Sequence, residues 1–287
     1  MIQQNKKIFS SILVFGLLIL NIVIFAGFPV SGATKNLKVA FLDIGQGDAI
    51  FIESPSGIQM LIDSGQNKSI LEELAKIMSY DDRSLDAVLA THPDADHIGG
   101  IPFVFERFDV DTYISTTNTS ETATYKRVEE SVASEYGVVR LNAKRGMFFD
   151  MGDGVVVTVL FPDREVGGED SNDSSIIVKV SYVESDFILT GDAPQSVENY
   201  LVGLDGEYLD AEVLKLGHHG SKTSTSESFL EIVSPEYAVI SAGRDNRYGH
   251  PHKEVVDRVE EKGIQVLNTQ IDGTIVFLSD GSRVWVE

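Results

Sequence analysis

The sequence predicts an α/β fold in which two β-sheets pack face to face and helices cover their outer faces. Three observations lead to this prediction. Apolar runs of strand length alternate with helical patterns along the chain. Each half of the chain contains a group of short strands with the spacing of a β-meander. Helical patterns follow in each half, so each sheet has helices available to cover one face.

The two halves repeat this order of elements. In the first half, we expect strands over residues 38–44, 49–54, 58–63, 86–91 and 112–115, and helices over 69–78, 98–108 and 121–136. In the second half, we expect strands over 154–161, 175–183, 186–190, 212–216, 237–241, 264–267, 274–278 and 283–286, and helices over 195–204, 226–232 and 254–262. No Pro/Ser-rich linker divides residues 35–287, which indicates one domain. We expect the acidic loop 162–174 at the rim of a functional site.

Residues 1–34 predict an N-terminal signal peptide or membrane anchor. Lys6 and Lys7 precede an apolar stretch over residues 8–30, and Ser31-Gly32-Ala33 offers a cleavage site of small residues. The stretch is also long enough to span a bilayer, so the sequence is equally consistent with a cleaved signal peptide and with an uncleaved anchor. In both cases the lysines stay in the cytoplasm and residues 35–287 lie outside it. They are either secreted or held at the extracytoplasmic face of the membrane by the anchor.

Composition limits the chemistry and the partners. The absence of cysteine excludes disulfides and thiolate-bound metal, so any metal must be held by nitrogen and oxygen. The net charge of −21 argues against broad, non-specific binding of nucleic acid. A site that binds dications can still act on a phosphodiester, because the metal reverses the local field. No feature of the sequence identifies a protein partner.

All six histidines lie in three short clusters, and each cluster follows an apolar run. In the first cluster, residues 92, 94 and 96 can point to one side of an extended loop while residue 97 points to the other. Imidazole and carboxylate groups suit divalent metals, so this loop can serve two metal ions. An aspartate that only caps the next helix would explain one carboxylate but neither histidine. The clusters are His92-Pro93-Asp94-Ala95-Asp96-His97, Gly217-His218-His219-Gly220 and Gly249-His250-Pro251-His252.

The sequence resembles the metallo-β-lactamase superfamily, and most closely the hydrolase domain of ComEC-type DNA-uptake proteins. The matching motifs lie in order at residues 41–49, 61–65, 91–100, 172–175, 189–193, 217–222 and 247–252. The resemblance implies an αβ/βα sandwich of two packed sheets flanked by helices. It also implies a dinuclear metal site at one edge of the sandwich and hydrolytic chemistry.

The resemblance further implies a set of metal ligands. His92 and Asp94 match ligands of one metal, Asp96 and His97 match ligands of the second, Asp192 matches the bridging carboxylate, and His250 matches the late histidine ligand. Two departures matter: Asp94 replaces a histidine of the wider superfamily, and loop 172–175 lacks the intermediate histidine. The expected cofactors are two divalent ions, Mn²⁺ or Zn²⁺, and the oxygen-rich ligand set favours Mn²⁺.

Asp96 and His219 are the expected catalytic residues. Two dications can bind a hydroxide nucleophile and hold the phosphoryl oxygens. His219 can then donate a proton to the leaving oxygen or stabilise transition-state charge. Three further residues are candidates for substrate binding: His218, Lys222 and Tyr248. For His218 a packing role is the open alternative, and for Lys222 the alternative is a side chain that is only exposed to solvent. The aspartates expected either to support ligands or to form turns are Asp43, Asp48 and Asp63.

The sequence therefore predicts an exported, metal-dependent hydrolase of phosphodiesters, with single-stranded DNA among its substrates. One alternative is a hydrolase of a small ester, a lactone or a cell-surface phosphoester, since the same fold supports all of these. Another alternative is a binding module with a degenerate metal site, which the missing intermediate histidine favours.

Overall fold

The computed structural model describes residues 36–168 and 170–287. The predicted signal peptide or anchor, residues 1–34, lies outside these described residues. None of the helices within the described ranges has the length and apolar character needed to span a bilayer. The strands and helices below all belong to the unit Thr34–Glu287.

Two mixed sheets form the centre of this unit. The eight-stranded sheet contains β1 (Leu37–Phe41), β2 (Ile50–Glu53), β3 (Gln59–Ile62), β4 (Ser84–Ala90), β5 (Asp109–Ser115), β6 (Val139–Asn142), β14 (Ile275–Ser279) and β15 (Val284–Val286). The seven-stranded sheet contains β7 (Phe148–Asp150), β8 (Val155–Phe161), β9 (Ile177–Tyr182), β10 (Ser185–Leu189), β11 (Val213–Lys215), β12 (Tyr237–Ile240) and β13 (Gln265–Asn268).

Helices connect the strands and cover the outer faces of both sheets. They are α1 (Ser69–Ile77), α2 (Ala95–Ile98), α3 (Ile101–Arg107), α4 (Ala123–Ser134), α5 (Gln195–Asp205), α6 (Glu227–Val233), α7 (Lys253–Glu261) and α8 (Thr269–Asp272). Single 3₁₀ turns lie at Asn172–Ser174, Gly206–Leu209 and Gly217–Gly220.

Each sheet has an antiparallel half and a parallel half. The first sheet has the order β15-β14-β1-β2-β3-β4-β5-β6, and β3 to β6 are parallel. The second has the order β13-β12-β11-β10-β9-β8-β7, and β10 to β13 are parallel. Parallel strands that are neighbours in a sheet end at the same edge, and ligands bind at that edge in open α/β sheets.

Side-chain alternation along the strands produces three apolar layers. Val39 and Phe41 of β1 point between the sheets, while Ala40 points toward the helices of the first sheet. Phe277 lies at the centre of the inter-sheet layer, with its ring centroid 5.9 Å from that of Phe41 and 6.0 Å from that of Phe187 on the second sheet. The two sheets therefore pack face to face with helices outside, and the predicted fold class is confirmed.

The structure differs from the expected elements at one helix and at three elements that were not predicted, the strands β6 and β7 and the short helix α8. The helix expected over residues 98–108 is broken at Gly99 and Gly100, because this segment passes directly over the loop after β3. A Cβ atom at Gly100 would lie only 2.2 Å from the carbonyl oxygen of Ser64. The edge strands β6 and β7 were not predicted, because most of their side chains are exposed and give little apolar periodicity.

Candidate metal centre

The polar side chains of the three histidine clusters meet at the edge where the parallel strands end. His92 and His97 follow β4 in the first sheet. Asp192 follows β10, His219 follows β11, and His250 lies beyond β12 in the second sheet. Both sheets therefore contribute to one site, as expected from the position of each cluster after an apolar strand.

Asp192 lies at the centre of this site and is 3% exposed. Its Oδ1 atom is 3.3 Å from His97 Nε2. Its Oδ2 atom is 3.4 Å from His219 Nε2, 3.7 Å from His218 Nε2 and 4.0 Å from His92 Nε2. The two oxygens of one carboxylate thus face imidazole nitrogens from both sheets, which is the arrangement that a bridging ligand requires.

Two further aspartates and one further histidine approach these nitrogens. Asp96 Oδ2 is 3.5 Å from His219 Nε2, and Asp94 Oδ2 is 3.8 Å from His92 Nε2. Asp94 occupies the N-cap position of α2, but its side chain makes no capping hydrogen bond, so capping does not explain this carboxylate. The ring of His250 lies 6.2 Å from that of His219, measured between centroids. All six predicted ligands therefore lie in or against this group of side chains.

Several buried donor atoms at the centre have no hydrogen-bond partner. Buried polar atoms are seldom left without a partner in folded proteins, so these atoms need an explanation. Nitrogen and oxygen donors that converge in this way fit the ligand preferences of divalent metal ions. The atoms are His92 Nε2, His97 Nε2, His219 Nε2, His250 Nδ1, Asp48 Oδ1 and Asp192 Oδ1.

The opposite ring nitrogens of two histidines are held by the protein. His97 Nδ1 is 2.8 Å from Asp63 Oδ2, and His219 Nδ1 is 2.9 Å from the carbonyl oxygen of Ser241. Metal-binding histidines commonly use one nitrogen for the metal and the other for such an anchor. The geometry therefore favours a metal-ligand role for His219 over the proton-donor role expected from the sequence.

Burial and neighbouring charges set the protonation states of the donors. Burial lowers the pKa of His92 to about 3 and that of His250 to about 4, so both imidazoles are neutral at physiological pH. Burial raises the pKa of Asp192, but His219 and His97 lower it by more, and the pKa stays well below its usual range. Asp192 is therefore an ionised carboxylate. Burial lowers the pKa of His97 and of His219, but Asp192 and neighbouring carboxylates raise it by more, to well above the usual range. A dication must therefore displace a proton from each of these two imidazoles.

The loop after β11 is held in a strained backbone conformation. His218 has a φ of 49° and His219 a φ of 57°, both in the left-handed region that non-glycine residues seldom adopt. Each such residue costs roughly 1–2 kcal/mol. Strain of this kind is concentrated at functional sites, where the rest of the fold imposes it. Here it directs the two adjacent imidazoles toward Asp192 from different sides.

Comparison with known protein families agrees with the metal-binding geometry of the site. Residues 42–244 match the model of the metallo-beta-lactamase superfamily. The chain belongs to the metallo-beta-lactamase superfamily. Membership places it, in general terms, among metal-dependent hydrolases, and the superfamily predicted from the sequence is confirmed.

Relatives within this superfamily include proteins of the ComEC type. The chain is 32% identical to ComE operon protein 3 of Bacillus subtilis (strain 168), over 84% of this chain and 33% of that protein. It is 30% identical to Competence protein ComA of Neisseria gonorrhoeae, over 89% of this chain and 35% of that protein. The chain thus spans about a third of the length of these relatives. The predicted resemblance to ComEC-type proteins is confirmed.

A solved structure supports the fold of this superfamily member independently. CmlA, a diiron β-hydroxylase from Streptomyces venezuelae, superposes with a TM-score of 0.55 at 12% identity, over 88% of this chain and 54% of CmlA. At this identity the similarity shows the fold alone, and the fold does not determine the reaction.

The predicted substrate-binding residues lie around the centre. His218 is half-buried, and its Nδ1 atom is 3.1 Å from Thr223 Oγ1. Tyr248 is exposed, and its ring stacks on that of His250 with 5.7 Å between centroids. Lys222 is also exposed, and its backbone N–H donates to His252 Nδ1 over 3.2 Å. Their role in binding substrate remains a prediction.

One buried residue at the centre was not singled out from the sequence. Lys215, the last residue of β11, is 0% exposed and forms an ion pair with Asp48. A lysine between apolar neighbours, in Val213-Leu214-Lys215-Leu216, was the available signal. Asp48 itself lies 3.4 Å from His219 Nδ1 and 3.8 Å from His97 Nδ1. Asp48 and Asp63 therefore contact the histidines. Of the two roles predicted for these aspartates, support of ligands and formation of turns, the contacts agree with the first.

The loop between β1 and β2 passes over the first histidine cluster at Gly47. Its φ is 119°, and a Cβ atom at this position would lie 1.9 Å from the carbonyl oxygen of Asp96. We expect Gly47→Ala to displace the Asp96 segment and weaken metal binding by about 10–100-fold, the usual effect of disturbing the support of a ligand. Isothermal titration with Mn²⁺ measures this change.

Gly45→Ala is the matched control. Gly45 also has a positive φ, of 81°, but no atom lies within 4 Å of the added Cβ. This variant should lose about 1–2 kcal/mol of stability from backbone strain and keep its metal affinity. Equal affinities in the two variants would show that the Gly47 contact does not support the metal loop.

Proposed function

We propose that this protein is an exported, metal-dependent phosphodiesterase that cleaves single-stranded DNA. The observation that carries the proposal is the set of buried, unpartnered donor atoms around Asp192, at the edge shared by the two sheets. Superfamily membership supports hydrolysis, and the resemblance to ComEC-type DNA-uptake proteins supports DNA as the substrate. Export rests on the apolar stretch that follows Lys6 and Lys7.

The donors divide into two groups, each suited to one divalent ion. Asp192 lies between the groups, and His250 contacts the ring of His218 and is available to complete the set. We assign His218 the place of the missing intermediate histidine, instead of the substrate-binding role expected from the sequence. Its Nε2 atom is 3.7 Å from Asp192 Oδ2, the oxygen that also faces His92 and His219. The residues for the first ion are His92, Asp94 and His218, and those for the second are Asp96, His97 and His219.

Bound divalent ions would supply Lewis acidity toward the phosphoryl oxygens and lower the pKa of a water molecule. The chain contributes the contacts that orient the substrate. Tyr248 offers an exposed ring beside His250 on which a base can stack. The exposed ammonium of Lys222 can contact a neighbouring phosphate. With a net charge of −21, the rest of the surface repels DNA, so we expect contact with only a few nucleotides.

An assay of the purified protein against three substrate classes tests the proposal. The substrates are single-stranded DNA, bis-(p-nitrophenyl) phosphate and a panel of lactones, each with Mn²⁺ or Zn²⁺ and with a chelator as the blank. We expect metal-dependent cleavage of the DNA and of the small phosphodiester. Hydrolysis of lactones alone would assign the site to ester chemistry instead. Metal binding without any turnover would indicate a binding module.

We expect Mn²⁺ to support more turnover than Zn²⁺. The reason is the number of carboxylate oxygens at the site, since Asp94 stands where the wider superfamily has a histidine and loop 172–175 lacks the intermediate histidine, and oxygen ligands favour Mn²⁺. Metal-free protein is titrated with each ion while hydrolysis of bis-(p-nitrophenyl) phosphate is followed. Equal or greater turnover with Zn²⁺ at matched occupancy would contradict this expectation.

A further inference from the structure

Lys215 and Asp48 form a buried ion pair directly beside the donor atoms of the metal centre. The Lys215 ammonium contacts Asp48 Oδ2, donates to the carbonyl oxygen of Gly191 over 2.8 Å, and lies 3.8 Å from Asp192 Oδ1. Lys215 is 0% and Asp48 1% exposed. In the described ranges 36–168 and 170–287, no other lysine or arginine nitrogen lies within 4 Å of either carboxylate.

Asp48 is itself positioned to bind metal. One oxygen of Asp48, with one atom each of His97, Asp192 and His219, belongs to a set whose members all lie within 4.8 Å of one another. A buried carboxylate without a counter-charge is strongly unfavourable, so Asp48 needs a cation. Two cations can meet this need, the Lys215 ammonium or a dication at the centre, and they compete for the same carboxylate.

We propose that Lys215 is a positioning residue that withholds Asp48 from the metal. The ammonium neutralises Asp48, which then lies beside His97 and His219 on the side of their Nδ1 atoms. The Nε2 atoms of both imidazoles stay free to face Asp192. One carboxylate fewer on the metal leaves room for water and substrate. The inference rests on metal binding at the proposed site and not on the identity of the substrate.

The proposal predicts the sign of a change in metal affinity. Lys215→Met removes a positive charge that repels the dication, and it leaves Asp48 without a partner, so both effects draw metal into the site. We expect the variant to bind Mn²⁺ at least about tenfold more tightly. The Lys215 ammonium lies 3.8 Å from the donor atom Asp192 Oδ1, and like charges so close together repel strongly in a buried site. We also expect the number of water molecules on bound Mn²⁺, measured by water-proton relaxation, to fall by about one as Asp48 binds.

Lys179→Met is the matched control, because Lys179 is a second buried lysine, on β9. It is 4% exposed, pairs with Asp186 over 2.8 Å and donates to the carbonyl oxygens of Tyr208 and Asp210. Its loss should lower stability without changing Mn²⁺ affinity. A Lys215→Met variant that binds Mn²⁺ no more tightly than the unaltered protein, or more weakly, overturns the proposal.

Asp48→Asn gives a second test that does not depend on the folding of the lysine variant. If Lys215 withholds Asp48, the number of water molecules on Mn²⁺ stays as in the unaltered protein. A rise of about one shows that Asp48 already binds the metal and overturns the proposal. Unaltered protein that binds neither Mn²⁺ nor Zn²⁺ overturns this inference and the proposed function together. Metal binding with the predicted changes but without DNA cleavage overturns the proposed function alone.

Discussion

Asp192→Asn is expected to lose bound metal and to lower phosphodiester turnover by on the order of 10³-fold or more, since metal ions contribute several kcal/mol to transition-state stabilisation. The substitution keeps the shape of the side chain and removes the charge. Asp192 Oδ1 faces His97 of the second group, and Oδ2 faces His92 and His218 of the first, so the neutral amide weakens binding to both groups of donors. Elemental analysis of the purified variant and turnover of bis-(p-nitrophenyl) phosphate measure the two effects.

Asp186→Asn is the control for this substitution, because Asp186 lies near the start of β10, whereas Asp192 follows its end. Asp186 pairs with Lys179, away from the donor atoms of the centre. This variant should keep its metal and its turnover. Full metal content in Asp192→Asn would mean that Asp192 does not bridge two ions, and the arrangement of ligands around it would have to be revised.

His219→Ala is expected to lose at least half of its bound metal and nearly all turnover. The reason is that His219 Nε2 is buried without a hydrogen-bond partner and lies 3.4 Å from Asp192 Oδ2. The sequence alone indicated a proton donor, for which the loss of turnover is typically about 10²–10⁴-fold with metal retained. Metal content, measured beside turnover, distinguishes the two roles.

His252→Ala provides the comparison for His219→Ala. His252 lies two residues beyond His250 and accepts a hydrogen bond from the Lys222 backbone, so its loss removes an imidazole next to the site. We expect this variant to keep its metal. His219→Ala protein with full metal content and no turnover would restore the proton-donor role, and full activity would make His219 structural.

Much of the fold was predictable because the strands that build it are buried and apolar. β4 and β10 each finish in an uninterrupted buried apolar run followed by a polar loop, the pattern of strands covered on both faces. β6 and β7 lack this pattern, since each lies at an edge with exposed side chains. The break at Gly99 and Gly100 depends on a loop distant in sequence, which no local pattern contains.

The centre was predictable to the extent that its residues carry unusual side chains at the ends of strands. The histidine clusters were visible because imidazoles gathered after apolar runs. Lys215 was not singled out, because a single lysine in a strand is usually a solvated side chain with only its stem buried. Its partner Asp48 lies in the loop between β1 and β2 of the other sheet, so the ion pair becomes evident only when both sheets are in place.

The distribution of the donors along the chain has a consequence for folding kinetics. Asp48 lies between the first two strands, and His250 lies beyond β12, so the centre exists only after both sheets have formed and docked. Contacts of such long sequence separation form late, because the loop-closure entropy must first be overcome. An ion that binds only the finished site stabilises the native state and not the transition state for folding. We therefore expect bound metal to prolong the lifetime of the folded protein against unfolding and to leave the rate of folding unchanged.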